Sequence, residues 1–271
     1  MGSKIYFRPS IMEGSFFMDF FDSHAHYNDE RFLENRDELI EKMYQDEITN
    51  IVCAGYNLSG SKDAIEVAKK FPHVFATCGI SPNDINENVD SELKEIEEIA
   101  GFEKNVAIGE IGLDYHWNKE NKDEQKRVFI EEIDIANRLG LPIVIHTREA
   151  VMDTLKILKE HPVYKKGVFH CCPLNQELIK EGLKLGFYIS FSGNVTFKNA
   201  KSAGCIELVP MDRILIETDS PYLAPEPHRG ETNTSLFVKY VAEKIAEVKG
   251  LSLEEVAEAT RENAKRIFNI K

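Results

Sequence analysis

Long hydrophobic runs are missing from this 271-residue chain: none approaches the roughly 18 to 20 residues a membrane helix needs, so a transmembrane span is excluded. Positive charge is scarce as well. The chain carries 33 Lys+Arg against 46 Asp+Glu, a formal net charge of −13, and a field of that sign repels polyanions. A long basic footprint for nucleic acid is thereby ruled out, and a phosphate substrate would have to be held by a few clustered cations or by bound metal. Cysteine is sparse: Cys53, Cys78, Cys171, Cys172 and Cys205 are an odd set with no CxxC pair. That pattern suits reduced thiols, and hence a cytoplasmic protein, better than a disulfide framework. Neither GxGxxG nor a Walker A loop occurs. Residues 1–17 lack periodicity, an apolar h-region and an A-x-A site, and read as a leader or cloning-derived segment peripheral to a domain spanning 18–271.

What is present is a core-forming composition, 42% hydrophobic with 29% charged, and a repeating order. Eight short apolar runs, each ending in a small or polar residue, alternate with longer charged segments of helical periodicity. The runs are residues 19–26, 50–55, 74–79, 106–110, 142–147, 167–171, 187–193 and 214–219. Most are nearly continuous in hydrophobicity, as strands buried on both faces are, and their alternation with helices implies parallel βαβ units. Residues 30–47 carry Phe32, Leu39, Ile40 and Met43 along one helical stripe, residues 236–248 repeat the pattern, and Ser252 with Glu255 forms a capping box before a last helix. Eight such units in roughly 250 residues predict an α/β fold of a single (β/α)8 TIM barrel.

In such a barrel reactive groups sit at the C-terminal ends of the strands. The first run ends in His24 and His26, the fourth in Glu110, the fifth in His146, the sixth in His170 and the eighth in Asp219. His24 and His26, two apart on a strand, point the same way. Each motif alone has an ordinary reading, a hydrogen-bonded histidine pair or a paired carboxylate. Together, four of the eight histidines share one predicted rim with two carboxylates, which marks a metal centre. The donor set, imidazoles and carboxylates without a thiolate pattern, suits Zn, Mn, Fe or Mg. Six ligands are too many for one tetrahedral ion and suit two ions sharing a bridging carboxylate, the arrangement that serves hydrolysis.

The strings DSHAHYND, GEIGLDY, IHTREA, HC, ISFSGNVTFK and ETDSPYLAP, followed by RG and Asn, resemble the TatD family of metal-dependent deoxyribonucleases in the amidohydrolase superfamily. The likeness covers the chain after Met18, in order. It implies a (β/α)8 barrel, one or two divalent ions (Mg, Mn or Zn) and removal of nucleotides from DNA 3′ ends, with DNA, single-stranded or at 3′ ends, as the partner and no obligate protein partner. By the same resemblance His24, His26 and Asp219 hold one ion, His146 and His170 the other, and Glu110 bridges them. Asp219 and Glu110 are then the catalytic residues, Asp219 taking the proton of the attacking water.

Arg229, Arg148 and Lys198 are the expected phosphate contacts, against the alternatives of ion pairs to Glu226 or Glu231 for Arg229, a pair to Glu149 for Arg148, and solvated surface for Lys198. Three places depart from the family pattern. Gly79-Ile80-Ser81-Pro82 has a serine where a histidine is usual, Cys171-Cys172-Pro173 follows His170, and Asn233-Thr234-Ser235 replaces an N-E-P ending. Trp117, Tyr115 and His116 either stack on a base or pack over the barrel mouth; Asp22 orients a histidine or caps a turn. Two other functions compete with the nuclease. One is a two-metal hydrolase of acyl or amide bonds, such as a D-aminoacyl-tRNA deacylase; the other is a non-catalytic, metal-stabilised scaffold.

Overall fold

A computed structural model describes residues 18–271; the leader assignment for residues 1–17 lies outside the described residues. Eight strands, β1 (Phe20–Ala25), β2 (Ile48–Ala54), β3 (Val74–Cys78), β4 (Asn105–Asp114), β5 (Ile143–Arg148), β6 (Gly167–Phe169), β7 (Tyr188–Phe191) and β8 (Ile214–Ile216), form one sheet in sequential order. All seven pairings are parallel. The sheet closes through an Ala25–Ser220 bridge, with the His26 amide donating to Ser220 at 2.7 Å and the Asp219 amide to His24 at 2.9 Å. Around it run α1 (Arg36–Gln45), α2 (Leu58–Lys70), α3 (Val89–Ile99), α4 (Lys122–Leu139), α5 (Val151–Glu160), α6 (Gln176–Lys184), α7 (Ala203–Leu208), α8 (Val238–Lys249) and α9 (Leu253–Phe268). This is the (β/α)8 TIM barrel that the pattern of runs predicts.

Two apolar clusters follow from the pleat. Outward residues such as Ile51, Ile145, Phe169 and Ile189 pack under the helices. Phe21, Val52, Val144, Val168, Tyr188 and Leu215 form a separate cluster with Ala264 and Phe268 of α9, which plugs the N-terminal end of the barrel. At period two, Val144 and Val168 share their side of the sheet with His146 and His170. The lumen is thus apolar at the bottom and polar at the top. The Ser252 capping box is present, its hydroxyl accepting from the Glu255 amide and the Glu255 carboxylate accepting from the Ser252 amide.

Several boundaries shift by one to three residues, and two shift by four or more. The helix placed over 30–47 begins at Arg36, because the Asp29 carboxylate accepts from the Arg31 amide and sets a separate 3-10 turn over Glu30–Phe32. Phe32, Ile40 and Met43 are nonetheless all buried. The fourth strand does not end at Glu110 but runs on to Asp114, with a register shift against β5 between Ile108 and Ile111. Such an irregularity re-aims a side chain, and here it falls at Glu110.

Candidate metal centre

Six side chains converge at the C-terminal mouth: His24 from β1 and His26 just after it, Glu110 from β4, His146 from β5, His170 just after β6 and Asp219 in the turn after β8. The two oxygens of Glu110 face different partners. Oε2 lies 3.5 Å from His24 Nε2 and 3.6 Å from His26 Nε2, whereas Oε1 lies 3.0 Å from His146 Nδ1 and 3.3 Å from His170 Nε2. Within the first group, His24 Nε2 and His26 Nε2 are 3.2 Å apart, and Asp219 Oδ1 is 3.3 Å from the latter. Within the second, His146 Nδ1 and His170 Nε2 are 3.2 Å apart. Ligand atoms about 2.1 Å from one ion are spaced about 3.0 to 3.4 Å from each other, spacings that Glu110 Oε1, His146 and His170 match at 3.0–3.3 Å, whereas the first group is wider, with Asp219 Oδ1 3.8 Å from His24 Nε2.

The ring nitrogens turned away from the centre explain which nitrogen is offered. His146 Nε2 is 3.0 Å from Asp114 Oδ2 and His26 Nδ1 is 3.2 Å from the Ala54 carbonyl, while Glu217 Oε1 stands behind His170 at 3.4 Å from Nδ1 without a hydrogen bond to it. A carboxylate or carbonyl behind an imidazole fixes its tautomer and raises its basicity. Asp114 and Glu217 were not singled out in the sequence, yet both were findable. Asp114 is four residues beyond Glu110 on the same strand, and Glu217 is the first residue past β8, the rim position where a barrel places its reactive groups. Asp22, expected to orient a histidine or cap a turn, accepts from the amides of His24 and Thr218 and from the Ser235 hydroxyl, tying β1 to the segments beyond β8.

The carboxylates and imidazoles shift one another's protonation. Burial pushes the Glu110 carboxyl up, but the charge on His170 and hydrogen bonds from His146, His170 and His24 outweigh it and hold it well below the usual carboxylate range. Asp219 is likewise held low, the His26 bond and charge overcoming its burial. His170 is driven well above the ordinary histidine value by Glu110 and Glu217 in spite of burial. The donor set, imidazoles facing carboxylates, suits one or two divalent ions. Backbone strain gathers here too: Glu149, Cys171 and Asp219, each just beyond a ligand-bearing strand, have φ of 55°, 37° and 56°.

The sequence matches the TatD related DNase family over residues 21–269. The chain belongs to the TatD-related DNase family. An uncharacterized metal-dependent hydrolase of Bacillus subtilis, YabD, is 44% identical over 252 residues, covering 92% of this chain and 99% of that protein. YcfH of Escherichia coli K12, also described as an uncharacterized metal-dependent hydrolase, is 39% identical over 254 residues, with 92% and 95% covered. Among solved structures, the TatD homologue YjjV of Escherichia coli K12 superposes with a TM-score of 0.88 at 22% identity, covering 94% of this chain and all of that one, a likeness of fold. This TatD-family member is a metal-dependent hydrolase of the amidohydrolase type, and no described helix is long and apolar enough to cross a membrane.

The other TatD-family positions fall into two groups. A cavity of about 370 Å³ above the metal cluster is lined by Tyr56, Ser81, Trp117, Arg148 and Tyr222 among others. Arg148 therefore stands at the mouth, while the carboxylate of Glu149 goes to His116 at 2.7 Å and Lys119 at 3.9 Å. Ser81 also lines this cavity. Arg229 and Lys198 do not line it. The Arg229 guanidinium stacks 3.8 Å over Phe197 and donates to the Ala224 carbonyl, and Lys198 borders a separate pocket with Lys201 and Lys244. The altered Asn233-Thr234-Ser235 segment turns inward: Asn233 donates to the carbonyls of Thr218 and Tyr222, bracing the turn that carries Asp219. Cys171 has its Sγ 3.1 Å from the Ser192 hydroxyl and takes no place among the facing donors.

Proposed function

We propose that this TatD-family hydrolase is a deoxyribonuclease that removes nucleotides from DNA 3′ ends through a two-ion centre. The observation that carries the reading is the division of Glu110, one oxygen turned to His24 and His26 and the other to His146 and His170, at 3.0–3.6 Å. His24, His26 and Asp219 would hold one divalent ion, His146 and His170 the second, with Glu110 between them. Bound there, such ions lower the pKa of a coordinated water and neutralise charge that builds on a phosphoryl group. Asp219 would take the proton from the attacking water, its Oδ1 standing 3.3 Å from His26 Nε2 at the wall of the cavity. Asp114 keeps His146 aimed inward, and Glu217 places a carboxylate behind His170. Arg148, at the mouth, offers a planar fork to a phosphate, which reconciles an acidic protein with a polyanionic substrate.

The test is product analysis of a labelled single-stranded oligonucleotide with metal-stripped protein, then with Mg, Mn or Zn, beside Asp219→Ala. Metal-dependent release of mononucleotides from the 3′ end, lost in the variant, supports the reading. A second reading, hydrolysis of an acyl or amide bond, is favoured by one observation, the hydroxyl of Ser81 in the cavity in place of an imidazole. Absence of cleavage with every ion, in protein whose metal content is verified, would move the assignment to that class of substrate.

A further inference from the structure

Two aromatic rings stand in water at the mouth of the metal cavity. Trp117, the single tryptophan of the chain, is 70% exposed, and Tyr222 is 48% exposed; both line the cavity. Exposed aromatics of this size forgo burial energy that a packed mouth would have supplied. Trp117 does not pack over the barrel, although its neighbour Tyr115 does, buried with its hydroxyl donating to Asp153 at 2.7 Å.

The segments that carry both rings are nevertheless tied to the candidate ligands. Asp114, whose Oδ2 stands behind His146, accepts with Oδ1 from the amides of His116 at 2.8 Å and Trp117 at 3.2 Å, so one carboxylate sets both His146 and the start of the tryptophan loop. On the other side, the Tyr222 amide donates to the Asp219 carbonyl at 2.9 Å, its hydroxyl donates to Asp29 at 3.1 Å, and its ring lies edge-on to His26 at 6.2 Å. Trp117 follows β4 and Tyr222 follows β8, opposite positions in a ring of eight strands. Each ring is backed by a guanidinium, Arg148 at 5.4 Å from the Trp117 centroid and Arg31 at 4.3 Å from that of Tyr222. Arg31 is itself fixed by two bonds to Asp29.

We infer that Trp117 and Tyr222 are the base-stacking walls of the site. They receive the planar bases of the nucleotides on either side of the phosphate presented to the metal cluster. The inference rests on the polynucleotide reading above and adds the part of the nucleotide that the metal centre cannot recognise. Stacking on an aromatic face is tolerant of base identity, so these walls select for the presence of a base and not for its sequence.

The experiment uses the full chain loaded with Mg and a cleavage-resistant, phosphorothioate-linked single-stranded oligonucleotide, beside an abasic oligonucleotide of the same length and backbone. Binding is followed by the fluorescence of Trp117 and, independently, by anisotropy of a dye on the oligonucleotide. The base-containing strand is expected to quench Trp117 and to bind at least about tenfold more tightly than the abasic one. Trp117→Ala and Tyr222→Ala should each remove about five- to a hundredfold of the affinity for the base-containing strand and leave the abasic affinity unchanged. Equal affinity for the two strands, or no binding of either, overturns the stacking walls. The nuclease reading is judged separately, by cleavage of an unmodified strand. Base-dependent binding without cleavage by any ion would keep the walls and overturn the nuclease.

Discussion

Replacing Asp114 by Asn changes almost no volume and tests how the proposed second ion position is held. Four donors converge on this buried carboxylate: His116 and Trp117 amides on Oδ1, and His146 Nε2 at 3.0 Å with Asn83 Nδ2 at 3.2 Å on Oδ2. An asparagine presents one oxygen and one NH2, so whichever way the amide turns, one pair of donors meets another donor. If the NH2 faces His146, the imidazole loses the acceptor that keeps Nδ1 free for the centre. The negative charge behind the ring is lost in either orientation. The bonds involved are strong ones: although burial alone would raise it, bonds from His146 and Asn83 hold the Asp114 carboxyl well below the usual range. Loss of a carboxylate behind a metal-ligating histidine typically costs about 10- to 100-fold in affinity or activity. Calorimetric titration of metal-stripped protein with Mn or Zn should therefore show one of two sites weakened by about that factor in Asp114→Asn. The other, built on His24, His26 and Asp219, should stay within about threefold. His146→Asn should weaken the same site, and the double variant should add little. Two unchanged sites in Asp114→Asn would refute the argument that Asp114 aims His146.

Other consequences are open to direct measurement. Asp219→Asn is expected to lower turnover by several orders of magnitude while circular dichroism and melting stay near those of the parent; retained activity excludes it as the base. Arg148→Ala should weaken binding of an oligonucleotide and reduce its salt slope by about one, whereas Arg229→Ala, whose guanidinium lies on Phe197 outside the cavity, should leave the slope unchanged. Buried His73, its ring stacked 4.1 Å from Tyr44, is held down to about 4, first by burial and then by the charge of Lys104. The unfolded chain takes up this proton near 6.5 and the native state only near 4, so the native state is progressively disfavoured as pH falls across that window, by up to roughly 3 kcal/mol. Urea unfolding at pH 7 and pH 4.5 should lose less stability in His73→Leu than in the parent, and parallel losses would discount the histidine. Gly193→Ala would place a methyl 2.0 Å from the Leu223 carbonyl. A fall of about 1 to 3 kcal/mol in unfolding free energy is expected, and an unchanged urea midpoint would show that the turn beyond β8 yields freely.

Much of this barrel could be read before its structure was known, because the two properties that define it are local. A strand buried on both faces is a short apolar run, and the functional rim is wherever such a run first turns polar. That is how His24, His26, His146, His170 and Asp219 stand out. Glu110 stood out for the wrong reason: the run seemed to end there, but GEIGLD continues the strand to Asp114 and the carboxylate is aimed inward by a register shift. Asp114 and Glu217 were passed over since a carboxylate that only supports a histidine looks like any polar residue unless its strand phase is followed. The cations were the least legible. Arg148 belongs to β5, so its strand carries it to the mouth, whereas Arg229 and Lys198 sit in loops whose paths no periodicity records. Trp117 lay open to two readings because exposure, which decides between stacking and packing, is a tertiary property.

The central claim is that Glu110 lies between two ions, one on each histidine pair. Anomalous diffraction from crystals of metal-stripped protein soaked with Mn measures it most directly. The account predicts two peaks about 3.5 to 4 Å apart, one beside His24, His26 and Asp219 and the other beside His146 and His170, with Glu110 touching both. A single peak at saturating Mn, or two peaks with Glu110 turned away from either, would contradict it.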